Sequence, residues 1–164
     1  MPRNFKSTAH FVKPDPRYGS LLASKVINQV MQDGKKSTAQ KLIYKALDVA
    51  LGKLTDVEGE STEEKHVNII TKAVENAKPN VEVRSKRVGG ANYQVPREVK
   101  KARQQALAIR WLVDNSRKKK GKPMHLRLAE EFVDAYNGTG ASVTWKENIH
   151  KMAEANKAYA HFAR

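Results

Sequence analysis

The 164-residue chain has no cysteine. Disulfide bonds and thiolate metal sites are therefore excluded, and the composition suits a reducing compartment. Acids are scarce: 17 Asp and Glu stand against 31 Lys and Arg, for a formal net charge of +14. Long apolar runs are missing as well. No stretch approaches the roughly 20 residues that a membrane-spanning helix needs. The N-terminal MPRNFKSTAHFVKPDPRYGS holds no continuous apolar segment, so it does not read as a secretory signal. It also has no acid before Asp15, a composition shared with organellar presequences, and that alternative stays open.

The positive charge is unevenly placed. Residues 78–122 hold 14 Lys or Arg and three acids (Glu82, Glu98, Asp114), a net +11, whereas residues 45–77 hold four Lys and seven acids, a net −3. Net charge alone fits any soluble basic protein, but a field concentrated in one continuous third of the chain implies a polyanionic partner, of which nucleic acid is the commonest.

Hydrophobic periodicity predicts a mainly α protein, a bundle of about six helices with an inserted, protruding two-stranded β-hairpin. Residues 1–17 read as a flexible basic N-terminal arm, with Pro14 and Pro16 opposing regular structure, and residues 18–164 as a single helical domain. Helices are expected from about Ser20 to Asp33, with Gly34 as a stop, and from Ser37, whose spacing to Gln40 suits a capping box, through Leu54. Ser61 and Glu64 repeat that spacing before a third helix presenting Val67, Ile70, Val74 and Ala77, which Pro79 ends. A fourth helix is expected over Lys101–Lys118, a fifth over Pro123–Tyr136, and a sixth from Trp145 to about Tyr159, after an NGTGAS loop.

Between the third and fourth helices, VEVRSKRVGGANYQV (81–95) alternates like a strand, breaks at Gly89 and Gly90, and resumes. Both glycines can take the positive φ of a two-residue turn. The hairpin is expected at about 81–99, with Arg84, Lys86 and Arg87 close to its tip and Tyr93 available to stack on a base. An isolated ribbon is marginal in water, so its base must lean on the helices and its tip is expected to move until something binds. Arginine can fork onto phosphate, although edge charges also serve merely to block aggregation.

The fourth helix carries a second signal. Arg103, Arg110 and Arg117 recur every seven residues, with Lys100 beside them, and so share one face. Ala106, Ile109, Leu112 and Val113 read as core. Lys118, Lys119, Lys120 and Lys122 extend the positive region into the next loop.

Catalytic and metal chemistry find little support. GKKS imitates the end of a phosphate-binding loop, but Gln29 stands where the loop needs glycine. Lys35 and Lys36 could still hold an RNA phosphate at a helix start, or serve only as helix punctuation. The histidines (His10, His66, His125, His150, His161) lack paired metal-ligand spacing and read as surface residues, with His150 and His161 placed to touch RNA. Glu130 and Glu131 project about 100° apart on a helix and read as a solvated face rather than an acid pair. Trp111 and Trp145 read as core, whereas Tyr159 and Phe162 stay open. No catalytic residue, metal site or cofactor is expected.

PDPRYGS, INQVMQDGKKSTAQKLIYKAL, VEVRSKRVGGANYQVP, ALAIRWLVDNSR, LRLAEEFVDAYNGTGASV and HKMAEANKAYAHFAR occur in this order. Together they resemble the bacterial-type small-subunit ribosomal protein seven family, from Pro14 to Arg164. The resemblance implies a helical bundle with a protruding hairpin that binds the 3′ major domain of small-subunit rRNA and nucleates the subunit head. It places the hairpin and C-terminal helix near exit-site tRNA and mRNA, with small-subunit proteins such as nine and eleven as neighbours, in a cytoplasmic rather than an organellar ribosome. By resemblance, Arg84, Lys86, Arg87, Gly89 and Gly90 act in the hairpin, Lys35 and Lys36 face rRNA, and the segment containing Lys157 approaches RNA and neighbouring proteins. Membrane and small-molecule partners are not implied. Residues 55–66 match no family motif. The alternative function is an architectural DNA-binding protein with a basic β-arm, although Gly89, Gly90 and Ala91 offer no large wedge to insert between base steps.

Overall fold

The computed structural model describes residues 11–163. Six α-helices and one ribbon follow each other as α1 (Leu21–Val30), α2 (Lys36–Lys53), α3 (Thr62–Ala77), β1 (Val81–Val88), β2 (Ala91–Glu98), α4 (Lys101–Lys118), α5 (Met124–Tyr136) and α6 (Ala141–Ala155). A terminal 3-10 helix occupies Lys157–Ala163. The mainly α architecture with one antiparallel hairpin agrees with the expected fold. Residues 1–10, most of the expected N-terminal arm, lie outside the described residues, as does Arg164.

α5 is the hub, packing on α2, α3 and α4. Its Leu128, Ala129, Phe132 and Ala135 are fully buried at helical spacing, among Ile43 and Leu47 of α2, Ile70 and Val74 of α3, and Leu112 and Val113 of α4. Small residues on the facing helices, such as Ala46, Ala50, Ala73 and Ala108, let the backbones approach closely. No helix among the described residues is long and apolar enough to cross a membrane.

Local rules account for most boundaries. Ser20 caps α1 by accepting from the Ala23 amide. α1 then stops at Val30, short of the expected Asp33, because Met31 already leaves the helical region at ψ 135°; Asp33 and Gly34, at φ 53° and 71°, then turn the chain toward α2. The Ser61–Glu64 capping box is formed in full. The expected Ser37–Gln40 box is not: α2 begins at Lys36, Lys35 makes no side-chain cap, and Gln40 instead reaches toward Asp15, 3.5 Å away. α6 starts four residues earlier than expected, at Ala141, with Gly140 at its N-cap. A Cβ at Gly140 would stand 2.7 Å from that of Asp134, so this close approach requires glycine.

Asp15 belongs to the folded body and is only 3% exposed. Its carboxylate accepts from the Tyr44 hydroxyl at 2.9 Å and from the Arg17 and Tyr18 amides. Burial, and then the Asp15 carboxylate, push Tyr44 up to about 12. Tyr18 is raised further by burial and hydrogen-bonds His66 Nδ1 at 3.2 Å. With the Tyr18 hydroxyl donating, the His66 ring proton lies on Nε2, which faces Asp48 at 3.6 Å. His66 is therefore a core residue, fully buried, and not the surface histidine expected from its polarity. Burial holds its pKa below the usual imidazole value, against the opposing pull of Asp48.

Glu131 corrects a second expectation. It is fully buried, not solvated. Its carboxylate accepts from the Ser142 amide at 3.0 Å and the Ser142 hydroxyl at 2.7 Å, and pairs with Lys119 Nζ at 3.0 Å. These contacts compensate a charge that would otherwise be costly to bury, and they join α5 to α6 and to the end of α4.

Candidate nucleic-acid interface

The ribbon pairs Val81 with Glu98 through Val88 with Ala91, in unbroken antiparallel register. Gly89 and Gly90 close it with φ of 57° and 89°, the double left-handed signature of a two-residue hairpin turn. Both are exposed, with open space where a Cβ would stand. Side chains alternate across a strand, so Glu82, Arg84 and Lys86 share one face of β1 and Arg87 takes the other. The three tip cations therefore present two surfaces.

Glu82 joins the ribbon to the helical stripe. One carboxylate oxygen receives Arg84 at 2.7 Å, and the other receives Arg103 Nε of α4 at 3.0 Å. Burial raises the pKa of this carboxyl, but the two guanidiniums outweigh it and hold Glu82 below the usual range. Arg84 and Arg103 are about half exposed, so their remaining N–H groups stay open to solvent. The two cationic elements thus meet across a single side chain. The signal was readable in part: Glu82 stands two residues before Arg84, the same-face spacing of a strand.

The α4 stripe divides in two. Lys100, Arg103 and Arg110 are exposed, and Arg110 has no ion pair or hydrogen bond among the described residues. Ala106, expected in the core, is exposed between Arg103 and Arg110, because it lies three residues after one and four before the other. It floors a groove of about 210 Å³ also lined by Lys25, Gln29, Gln105 and Arg110. Lys25, absent from the expected set, donates to Gln105 at 2.6 Å and adds a fourth cation, this one from α1. Arg117 turns inward. It donates to the Gln29 and Val30 carbonyls at 3.4 and 3.2 Å, satisfying the C-terminal end of α1.

The lysine run divides likewise. Lys119 pairs with Glu131 and Asp134; burial lowers its pKa, but those carboxylates prevail and raise it. Lys122 pairs with Glu130. Lys118 and Lys120 are exposed and have no carboxylate partner among the described residues. Lys35 and Lys36 are exposed at the start of α2, far from α4 in sequence, yet Lys35 and Arg117 line one cavity.

At the far end, the terminal 3-10 helix packs against β2. Tyr93 does not stand free for a base: its ring lies 4.9 Å from that of Tyr159 and 5.7 Å from that of Phe162. Its cross-strand partner Lys86 donates to the Phe162 carbonyl at 2.8 Å. Both contacts fall on one rung, which supports the ribbon well beyond its base. His150 is also engaged, accepting from the Asn80 amide at 3.1 Å, and is kept below its usual pKa by burial and then by Lys146. Lys157 is exposed and lines an apolar groove with His150, Pro96 and Ala160. No group of three or more metal-ligating side chains occurs among the described residues.

Residues 2–157 match the family profile described as Ribosomal protein S7p/S5e. The chain is 50% identical over 160 residues to "Small ribosomal subunit protein uS7" of Fervidobacterium nodosum, covering 98% of each chain. It is 48% identical over 164 residues to the protein of the same name from Chloroflexus aurantiacus, covering 100% of this chain and 99% of that one. With the Shewanella sediminis protein, also of that name, it shares 50% identity over 162 residues and 99% of each. Near-complete coverage at such identity, on a helical bundle with one basic ribbon, leaves one conclusion: the chain belongs to the ribosomal protein S7p/S5e family.

Proposed function

We propose that the protein is a non-catalytic structural constituent of the small ribosomal subunit. It grips rRNA of the 3′ major domain through the surface on which the ribbon and α4 meet. The carrying observation is the Arg84–Glu82–Arg103 junction, which makes the ribbon and the helix one cationic surface. Arg110 and Lys25 continue it along α4 and α1, while Arg87 and the glycine turn offer a second face at the ribbon's tip. Phosphate contacts of this kind position a protein on folded RNA, whose shape and 2′-hydroxyls are read more than its groove sequence. Inward-turned Arg117 and Lys119 support the scaffold, and the exposed Lys100, Lys118 and Lys120 supply the remaining contacts.

On this reading the protein helps nucleate the subunit head in the cytoplasmic ribosome. Its ribbon and terminal helix lie toward exit-site tRNA and mRNA, and small-subunit proteins such as nine and eleven are neighbours. The test is a salt titration of binding to an isolated 3′-domain rRNA fragment beside duplex DNA of equal length. Neutralising about 6–10 phosphates should cost ~10³ to 10⁵ in affinity between 50 and 200 mM salt. Tighter binding to the duplex would favour an architectural DNA-binding role instead.

A further inference from the structure

We infer that Trp145, on the outer face of α6, is a stacking platform for an unpaired RNA base, with Lys118 receiving the adjoining phosphate. The inference rests on the RNA-binding reading above, which already names Lys118, and adds to it a base-stacking contact at Trp145.

Trp145 was expected in the core but is 46% exposed. It belongs to a stripe of exposed residues, Ala141, Trp145, Asn148 and Met152, spaced along one side of α6. Leaving an indole half uncovered forfeits much of the burial that usually places tryptophan inside. The Lys118 ammonium stands 5.0 Å from the Trp145 ring centroid. It is steadied by Asn115 Oδ1 at 3.3 Å, and the buried Asn115 is itself held by Ser142 at 3.2 Å. The cation is thus placed over the ring from within the bundle.

The surroundings decide the kind of partner. Lys119 and Lys122 are neutralised by carboxylates, whereas Lys118, the cation at the ring, has no carboxylate partner among the described residues, so the charge it brings there is positive. Trp145 and Met152 are the large apolar side chains exposed on the stripe, too few to bury the apolar face of a partner protein. One aromatic face beside one uncompensated ammonium matches a nucleotide, which brings a flat base and an anion together.

The experiment follows binding of the 3′-domain rRNA fragment to the full chain by anisotropy of a labelled RNA and, in parallel, by tryptophan emission of the Trp111→Phe variant, in which Trp145 is the sole tryptophan. Emission should be quenched along the same isotherm as binding. Trp145→Leu should weaken binding about 5- to 150-fold, the loss of one stacked base, while Trp145→Phe keeps most of it. Circular dichroism of the three variants should match the parent. Lys118→Met should lower the salt slope by about one phosphate. Binding without quenching, or equal affinities for the Leu and Phe variants, would overturn the inference and leave the RNA-binding reading intact. A blue shift produced only by other small-subunit proteins, with the RNA silent, would assign the face to a protein partner and overturn it too. Absence of salt-dependent RNA binding by the parent chain would remove both readings.

Discussion

Replacing Tyr159 and Phe162 together by alanine should loosen the ribbon while leaving the helical core intact. Tyr93 meets Tyr159 at 4.9 Å and Phe162 at 5.7 Å between ring centroids, and Lys86 on the same rung holds the Phe162 carbonyl. Two aromatic pairs at ~0.5–1.5 kcal/mol each amount to about 1–3 kcal/mol that opposes opening of this part of the ribbon. Their loss should raise the local opening equilibrium by a factor of about 5 to 150. Native-state hydrogen exchange read by mass spectrometry resolves such an effect, because the ribbon and the core lie on different peptides. Amides of 84–95 should lose protection by that factor, with the strongest effect at Ser85–Arg87. Amides of α2 and α5, which the terminal helix does not touch, should be unchanged. Ribbon protection equal to that of the parent would show that the two-stranded sheet is held from its base alone, and the clamp would be wrong.

Three further outcomes follow from the geometry. Glu131→Ala removes a buried acceptor from Ser142 and the counter-charge of Lys119, and should cost about 3 kcal/mol, lowering Tm by roughly 6–12 °C in a calorimetric scan; a Tm within 2 °C of the parent would refute the role given to that network. His66 is held neutral by burial, so the unfolded chain takes up a proton that the folded one refuses. Stability is then full above the unfolded value near 6.5 and falls as the pH drops below it, at up to about 1.4 kcal/mol per pH unit; His66→Gln should flatten that decline in urea titrations run between pH 7.5 and 5. Arg84→Gln, Lys86→Gln and Arg87→Gln combined should leave the helical signal in circular dichroism unchanged and weaken footprints on rRNA near the exit site; an intact footprint would count against the arm.

The mainly α architecture was legible in the residues because helical periodicity is a local property. Leu128, Ala129, Phe132 and Ala135 announce a buried face whatever lies opposite, and Gly89–Gly90 between alternating segments announces a hairpin. Signals that depend on one short neighbourhood fared likewise: the Ser61 capping box formed as spaced, and Lys101–Lys118 has the bounds its pattern predicts. The Ser37 box does not form because α2 starts at Lys36, which puts Ser37 inside the first turn rather than at the N-cap, and Gln40 lies near Asp15, 25 residues away in sequence, instead.

Which cations face outward could not be read from spacing. Arg103, Arg110 and Arg117 are equivalent by periodicity, yet the first meets Glu82 from another element, the second stays open, and the third is drawn to the end of α1. His66 and Glu131 look like surface residues, and Trp145 like core, because polarity sets only a preference. Burial of a polar group is decided by whether the fold supplies partners, as Tyr18 and Ser142 do, and exposure of an apolar one by whether any element comes to cover it. Periodicity along the chain therefore specified the elements and their inward faces. The three-dimensional meeting of distant segments alone sorted the charges into scaffold and contact surface, since ion pairing and desolvation depend on distances through space rather than along the sequence.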